Sequence, residues 1–590
     1  MAFACRKLPE PIKRHWRVLP LLLAPVLLSP LLTMGSEKAR CAYLLLLMAT
    51  YWVLELLPLS LTAVLPFFLG PLLRIGTCHE LAKSYFTDIH FLMIGGVMLS
   101  VAMEDTGLSR RFALRTVALL GTRPRWLLLG FMLPSWLMSM WMSNTGTTIL
   151  MFPFVMAAIA ETEKATEQLQ DAPDRESLAL DQREKHPTAT DCEGAAAEPP
   201  PPCEDGLDSN TVGKTRHKTH TRSHAVCYCL SVAYACNVGG VATLIGTGTN
   251  LVLVGQLQQI YRVSNVVTFS NWMAFSLPLS LFSLLLIWLL LQLVFVGPRD
   301  TFNWRSQSAE QKRQEARVKL YFHQQLEALG SVSFAEWATM AAFPCVLLLL
   351  LTGKLTSSFG WHYLFGSVND KPVVSDATGM LLVALLLTLI PNPDLTEEHG
   401  PTNSLGYRAV ARWDRVLLKI PLDIMLLIGG GLALAKLTKD TKLSETIGSA
   451  LTPTLQALPT ELTLLLLSFC VIWLTEVTSN MATASVLLPI VAQIAACLGH
   501  NPLLFMVSLT VTCSFAFCLP TATPPNAIVF GSGRVSIPSM AKAGLVLNLV
   551  FSTIVPFYTM LVGRWVYSVH ELPEWAETSS SLCANETFSG

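Results

Sequence analysis

Charge is scarce in this sequence, and it cancels. Only 14% of the 590 residues are charged, and 41 basic side chains stand against 41 acidic ones, a formal net charge of zero. No basic excess is left to hold nucleic acid, and there is no acidic tail. Zinc-ligand spacing is missing too. The 14 cysteines are scattered, several of them inside apolar runs (Cys470, Cys513, Cys518), and the one close pair, Cys227 and Cys229, is too tightly spaced for a zinc site. They read as small core hydrophobes. No His/Glu metal motif and no Ser/His pair occurs at matching depth, which argues against an intramembrane enzyme. A channel or proton-driven exchanger would carry intramembrane Asp, Glu or His relays, and these are sparse.

What the chain has is apolar surface. Hydrophobic residues make up 52% of it and mean hydropathy is +0.48, outside the range of chains whose solvent is water. The lipid bilayer is therefore its expected partner. Runs long enough to cross the hydrocarbon core fall near 17–34, 40–58, 60–75, 88–104, 226–260, 271–297, 336–356, 377–391, 419–436, 501–531 and 540–567. That predicts an all-α polytopic membrane protein with about eleven transmembrane helices. The first run has no convincing small-residue cleavage site and is followed by many more, so it reads as a membrane helix and not as a signal peptide. Two further stretches, 126–160 and 461–498, carry a polar cluster at their middle and predict re-entrant helical hairpins.

The organisation that follows is a cytoplasmic N-terminus (1–16), helices 1 to 4 (17–125), a first re-entrant hairpin (126–160) and a disordered cytoplasmic loop (161–225). Then come a broken helix 5 with helix 6 (226–297), a cytoplasmic segment with helices 7 to 9 (298–460), a second re-entrant hairpin (461–498), a broken helix 10 with helix 11 (499–568), and an extracellular tail (569–590). Basic residues favour the cytoplasmic side. Arg6, Lys7, Lys13, Arg14 and Arg17 put the N-terminus inside, as Arg110, Arg111, Arg115, Arg123 and Arg125 do the segment after the fourth span. An odd number of crossings then puts the C-terminus outside, where Asn585-Glu586-Thr587 is a glycosylation sequon. The 161–225 loop, rich in Glu, Lys, Pro, Thr and His, has almost no apolar periodicity, and its His217, His220 and His224 read as solvated. No retention signal is seen, so the expected location is the plasma membrane.

The polar clusters repeat. Ser139-Met-Trp-Met-Ser143-Asn144-Thr145-Gly146-Thr147 at the first hairpin corresponds to Thr475-Glu-Val-Thr-Ser479-Asn480-Met481-Ala482-Thr483 at the second. An interrupted span follows each: Gly246-Thr247-Gly248-Thr249-Asn250 after the first, Thr521-Ala522-Thr523-Pro524-Pro525-Asn526 after the second. With an odd number of crossings between them, the two repeats are inverted in the membrane. Inverted repeats with Gly/Pro-interrupted helices point to the binding site of a secondary transporter. A helix broken inside the membrane leaves N–H groups unpaired at one half-helix and C=O groups at the other. Carbonyls and hydroxyls suit sodium, while N–H groups and Asn amides suit a small anionic substrate. Glu55 and Glu476 are acidic groups in apolar surroundings. Glu55 reads as structural; Glu476 either contributes to the site, orients it, or serves as a structural partner.

At these residues the chain resembles the divalent anion:sodium symporters, the animal sodium-coupled di- and tricarboxylate and sulfate cotransporters. The likeness runs from Tyr51-Trp52-Val-Leu-Glu55-Leu-Leu-Pro58-Leu-Ser60 through Met138-Ser139-Met140-Trp141-Met142-Ser143-Asn144-Thr145 and Gly429-Gly430-Gly431-Leu-Ala433-Leu-Ala435-Lys436. It continues in Ala522-Thr523-Pro524-Pro525-Asn526-Ala527-Ile528-Val529-Phe530 and Pro573-Glu-Trp575-Ala576. The resemblance implies a homodimer, with a scaffold domain at its interface and a transport domain of both hairpins and the broken helices that moves like an elevator. It implies that Na+ is co-transported. One sodium site would use Ser139, Asn144 and the backbone around Gly246 and Asn250; the second would use Thr475, Asn480 and the backbone around Ala522 and Asn526. Substrate would touch Ser143, Asn144, Thr145, Thr247, Asn480, Thr483 and Thr523. Met481 and Thr523 resemble the carboxylate members, Thr249 resembles the sulfate members, and Gly146 replaces the usual Ala or Ser. The expected function is sodium-coupled symport of succinate- or citrate-type anions, with sulfate symport or anion sensing without transport as alternatives.

Overall fold

The computed structural model describes residues 18–121, 123–184, 209–263, 266–298, 309–353, 360–368, 371–392 and 408–576, with the backbone alone for 165–184 and 209–222 and at a few other positions. The N-terminal basic cluster and Asn585 lie outside the described residues.

Among the described residues, seven helices are long and apolar enough to cross a membrane, eight if Trp413–Lys419 and Leu422–Asp440, which meet at 52°, form one span. Shorter apolar helices complete the set, among them Val18–Thr33, Leu59–Leu72 and Asp376–Leu389. The span expected at 60–75 is two short pieces, Leu59–Thr62 and Leu65–Leu72, because Pro66, in the first turn of the second piece, has no N–H to donate to the Thr62 carbonyl and so cannot continue the first. Large apolar side chains such as Leu22, Phe68, Leu561 and Trp565 are exposed on the outside, as a surface solvated by lipid tails requires.

The chain is built as two matching series. In the first, α1 (Asp88–Asp105) passes through left-handed Gly107 into α2 (Leu108–Leu120). The hairpin arms α3 (Pro124–Ser139) and α4 (Asn144–Glu184) follow, then α5 (Ser209–Val241), α6 (Gly248–Tyr261) and α7 (Phe269–Phe295). The second series is introduced by α8 (Trp413–Lys419). There α9 (Leu422–Asp440) passes through left-handed Lys442 into α10 (Leu443–Gln456). The arms α11 (Thr460–Thr475) and α12 (Asn480–Cys497) follow, then α13 (Pro502–Cys513), α14 (Pro524–Gly531) and α15 (Ile537–Tyr567).

Burial places these elements. The apolar window of α5 is 94% buried, against 39% in α7 and in α15, so α5 runs through the interior and the other two face outward. Close packing at the centre rests on glycine. A β-carbon on Gly239 of α5 would stand 2.4 Å from the Trp136 carbonyl oxygen of α3, and one on Gly544 of α15 would stand 2.4 Å from the Cys518 backbone.

Two expectations are modified. Residues 161–184 and 209–225, read as unstructured, continue α4 and α5 as helix. In 161–184 the Glu, Lys, Gln and Arg residues are good helix formers that carry no apolar stripe, whereas 209–225, rich in Thr and His, continues α5 without that preference; residues 185–208 lie outside the described set. Arg111, counted among the residues that set orientation, is buried. Its guanidinium pairs with Glu336 at 2.8 Å and donates to the carbonyls of Leu329, Gly330 and Ser331, which pins α2 to the segment before the Phe334–Thr352 helix.

Candidate functional site

Each hairpin turns over four residues, between Ser139 and Asn144 in the first and between Thr475 and Asn480 in the second. Each broken helix opens just behind a tip, between Val241 and Gly248 and between Cys513 and Pro524.

In the first half the expected residues converge. Ser139 is buried, and its Oγ lies 2.6 Å from Asn144 Oδ1 and 2.8 Å from the Cys236 carbonyl oxygen. One hydroxyl carries one proton, so only one of these oxygens receives it and the other faces a lone pair. A cation there would satisfy all three. The Asn144 amide packs on glycine backbone: a β-carbon on Gly240 would lie 2.5 Å from Asn144 Oδ1, and one on Gly246 would lie 2.5 Å from the Gly240 carbonyl oxygen. Asn250 closes the group by donating Nδ2 to the carbonyls of Gly240 (3.3 Å), Val241 (3.4 Å) and Thr243 (2.7 Å).

The second break repeats this register. Asn526 Nδ2 donates to the carbonyls of Ala516 and Leu519, each at 3.1 Å. These stand ten and seven residues before it, as Gly240 and Thr243 stand before Asn250. The Ala522 N–H also reaches the Leu519 carbonyl, at 3.3 Å. Donation by Nδ2 to carbonyls turns the amide oxygens of Asn250 and Asn526 the other way, and both, like Asn480 Oδ1 at the second tip, are buried with no hydrogen-bond partner. A buried acceptor left so costs about 1–3 kcal/mol, and the donor set fits a hard cation held by neutral oxygens. Thr475 and Asn480 do not pair as Ser139 and Asn144 do, since Thr475 Oγ1 donates to the Ile472 carbonyl at 3.1 Å.

The residues expected to touch substrate are less uniform. Ser143 is exposed and accepts the Gly146 N–H at 3.1 Å, while Thr145 and Thr247 are half-buried. Thr483 Oγ1 is held 2.6 Å from Thr478 Oγ1. Thr523 Oγ1 caps the Asn526 N–H at 3.4 Å and accepts Asn237 Nδ2 at 3.1 Å. The second tip reaches the first break, where a β-carbon on Gly248 would come within 2.1 Å of Met481 Sδ.

Glu476, whose role the sequence left open, orients the second break. Its Oε1 accepts the N–H groups of Phe517 (2.7 Å) and Cys518 (2.9 Å) and the Asn548 amide (2.6 Å), and its Oε2 accepts the Leu519 N–H at 2.9 Å. The side chain is buried, and its charge is met by oriented N–H dipoles, with no ion pair to it among the described residues. Sequence reasoning missed Asn237, Thr243, Ser514 and Asn548. The two halves are joined through two of them, by Asn237 to Thr523 and by a 2.7 Å contact between the Thr249 and Ser514 hydroxyls. A lone Asn inside an apolar helix, as at 237 and 548, was the available signal, because lipid and core both leave its amide unsatisfied.

Comparison with known proteins adds to this geometry. The transmembrane region of the sodium:sulfate symporters matches residues 13–569. The chain is 35% identical to solute carrier family 13 member 2 of Oryctolagus cuniculus, over 95% of each protein. It is 34% identical to the Na(+)/citrate cotransporter of Rattus norvegicus, over 94% of this chain and 96% of that one. It is 32% identical to Na(+)/dicarboxylate cotransporter 3 of Mus musculus, over 96% of each.

Proposed function

The chain belongs to the sodium:sulfate symporter family, and we propose on that premise that it is a sodium-coupled symporter of di- and tricarboxylates of the succinate and citrate type. The observation that carries this reading is the duplicated break in which Asn250 and Asn526 each hold two carbonyls at matching register and keep a buried amide oxygen free. Sodium occupies those oxygens: Ser139, Asn144 and the backbone around Gly246 and Asn250 hold one ion; Thr475, Asn480 and the backbone around Ala522 and Asn526 hold another. Substrate sits between the tips against Ser143, Asn144, Thr145, Thr247, Asn480, Thr483 and Thr523.

Sodium binds first and settles the tips, so the anion meets a completed, locally positive pocket. Half-filled sites leave polar groups unpaired in low dielectric, which disfavours movement without cargo. Each tenfold sodium gradient contributes about 1.4 kcal/mol per ion, and each net positive charge adds about 2.3 kcal/mol per 100 mV.

The relatives' names, for citrate and for dicarboxylate, support a carboxylate substrate. Thr249, the residue that resembles sulfate members, is buried with its hydroxyl spent on Ser514, so it acts on the junction of the breaks and not on the anion. The same reading takes the hairpins and broken helices as a transport domain that moves like an elevator against a scaffold in a homodimer. It sets the protein in the plasma membrane with the N-terminus inside and the C-terminus, with a glycan on Asn585, outside.

The test is uptake of labelled succinate, citrate and sulfate by cells expressing the chain, in sodium and then in choline. Sodium-dependent carboxylate uptake, abolished by Asn144→Ala or Asn480→Ala at unchanged surface amount, is the expected result. Sulfate uptake alone would overturn the substrate class, and no flux would leave anion sensing as the reading.

A further inference from the structure

The acidic end of α1 stands beside the tip of the first hairpin. Glu104 and Asp105 close α1, and the basic helix α8 crosses them: Lys419 Nζ is ion-paired with Glu104 Oε2, and Arg415 Nη1 with Asp105 Oδ1 at 2.8 Å. The two pairs face different surroundings. The Asp105 side chain is 4% exposed, and its other oxygen is enclosed without a partner. The Glu104 side chain is 24% exposed, and its other oxygen, Oε1, is 4.0 Å from where a β-carbon on Gly146 would stand. Gly146 lies in the first turn of α4, and its N–H donates to Ser143 Oγ. A fixed carboxylate thus stands next to the N–H groups of a helix start, with its countercharge on the far oxygen and no side chain at position 146 to cover it.

We propose that Glu104 is a specificity-determining residue for the transported anion. Its carboxylate opposes an arriving anion in proportion to that anion's charge, so it lowers affinity overall and discriminates against trivalent forms in favour of divalent ones. Lys419 weakens this opposition without cancelling it, because the negative end of the pair is the one turned to the tip. The inference rests on the reading of the first tip as a substrate site.

The experiment is sodium-dependent uptake of citrate and succinate at pH 7.5, where the first is mostly a trianion and the second a dianion, by the wild type, Glu104→Gln, Lys419→Gln and the swap Glu104→Lys/Lys419→Glu. Glu104→Gln lowers the half-saturating citrate concentration about three- to tenfold and the succinate value less. Lys419→Gln moves both the opposite way. The swap keeps the ion pair but turns its positive end to the tip, so its citrate value falls below that of Glu104→Gln. A swap that restores wild-type values would make the pair a structural clasp and overturn the proposal, as would equal shifts for both anions or none. A wild type that moves neither anion would instead sink the reading of the site, which separates that failure from this one.

Discussion

The two breaks perform one task with different chemistry. Met140 and Glu476 each follow the last residue of a first hairpin arm. In the first half the position after the arm offers a backbone carbonyl: Thr243 Oγ1 donates to Met140 O at 2.6 Å and accepts the Gly246 N–H at 3.1 Å. In the second half the hairpin offers a carboxylate that gathers three consecutive N–H groups and the Asn548 amide. Bonds to an ionised acceptor are about twice as strong as neutral ones, and a buried charge that loses its donors is far more costly than a buried hydroxyl. The first break is tied to its hairpin by a neutral relay, and the second by a charge. Matching backbone geometry therefore does not mean matching tolerance to change.

The largest test of that contrast is Glu476→Gln. It turns an NH2 group toward N–H donors, so stability falls by about 3 kcal/mol or more and uptake is lost, read as a lower melting temperature of the purified protein together with flux. Met140→Leu at the matching position leaves both close to wild type; equal damage from the two would erase the distinction. Next come Asn250→Ala and Asn526→Ala, each of which frees buried carbonyls and costs about 1–3 kcal/mol while raising the sodium concentration for half-maximal uptake. A sodium dependence unchanged in both would remove these amides from the proposed ion sites. Thr243→Val breaks the neutral relay and costs about 1 kcal/mol, with uptake reduced but measurable. Smallest is Thr249→Ala, which releases one hydroxyl from Ser514 at a cost of about 0.5–1 kcal/mol and leaves the preference between carboxylate and sulfate unchanged. A switch toward or away from sulfate in that variant would show that Thr249 faces the anion after all.

Much of this was legible in the sequence because lipid enforces honesty about polar groups. Ser139, Asn144, Thr475 and Asn480 stood out since hydroxyls and amides in the middle of an apolar run need partners that hydrocarbon cannot supply. The repeat, the hairpins and the breaks followed from the spacing of those groups. Other features are long-range and leave no local trace. Nothing near Glu476 in sequence announces the N–H groups of Phe517, Cys518 and Leu519, and nothing near Thr249 announces Ser514. The helical continuation of α4 was hidden for the opposite reason: residues 161–184, rich in Glu, Gln and Arg, favour helix by intrinsic preference, without the apolar stripe from which helices were read. The difference between Ser139, which meets Asn144, and Thr475, which does not, depends on side-chain rotation that a residue-by-residue match cannot register.

The bonds from Asn237 to Thr523 and from Thr249 to Ser514 bear on how such a molecule changes over time. A duplicated gene ordinarily gives each copy freedom to drift, but here each half completes a break that belongs to the other. Neither repeat is a spare part. A substitution that retunes one break alters the support of its twin, so changes of cargo arrive as matched alterations in both halves, and two halves taken from differently specialised chains would meet with their hydroxyl and amide partners out of step.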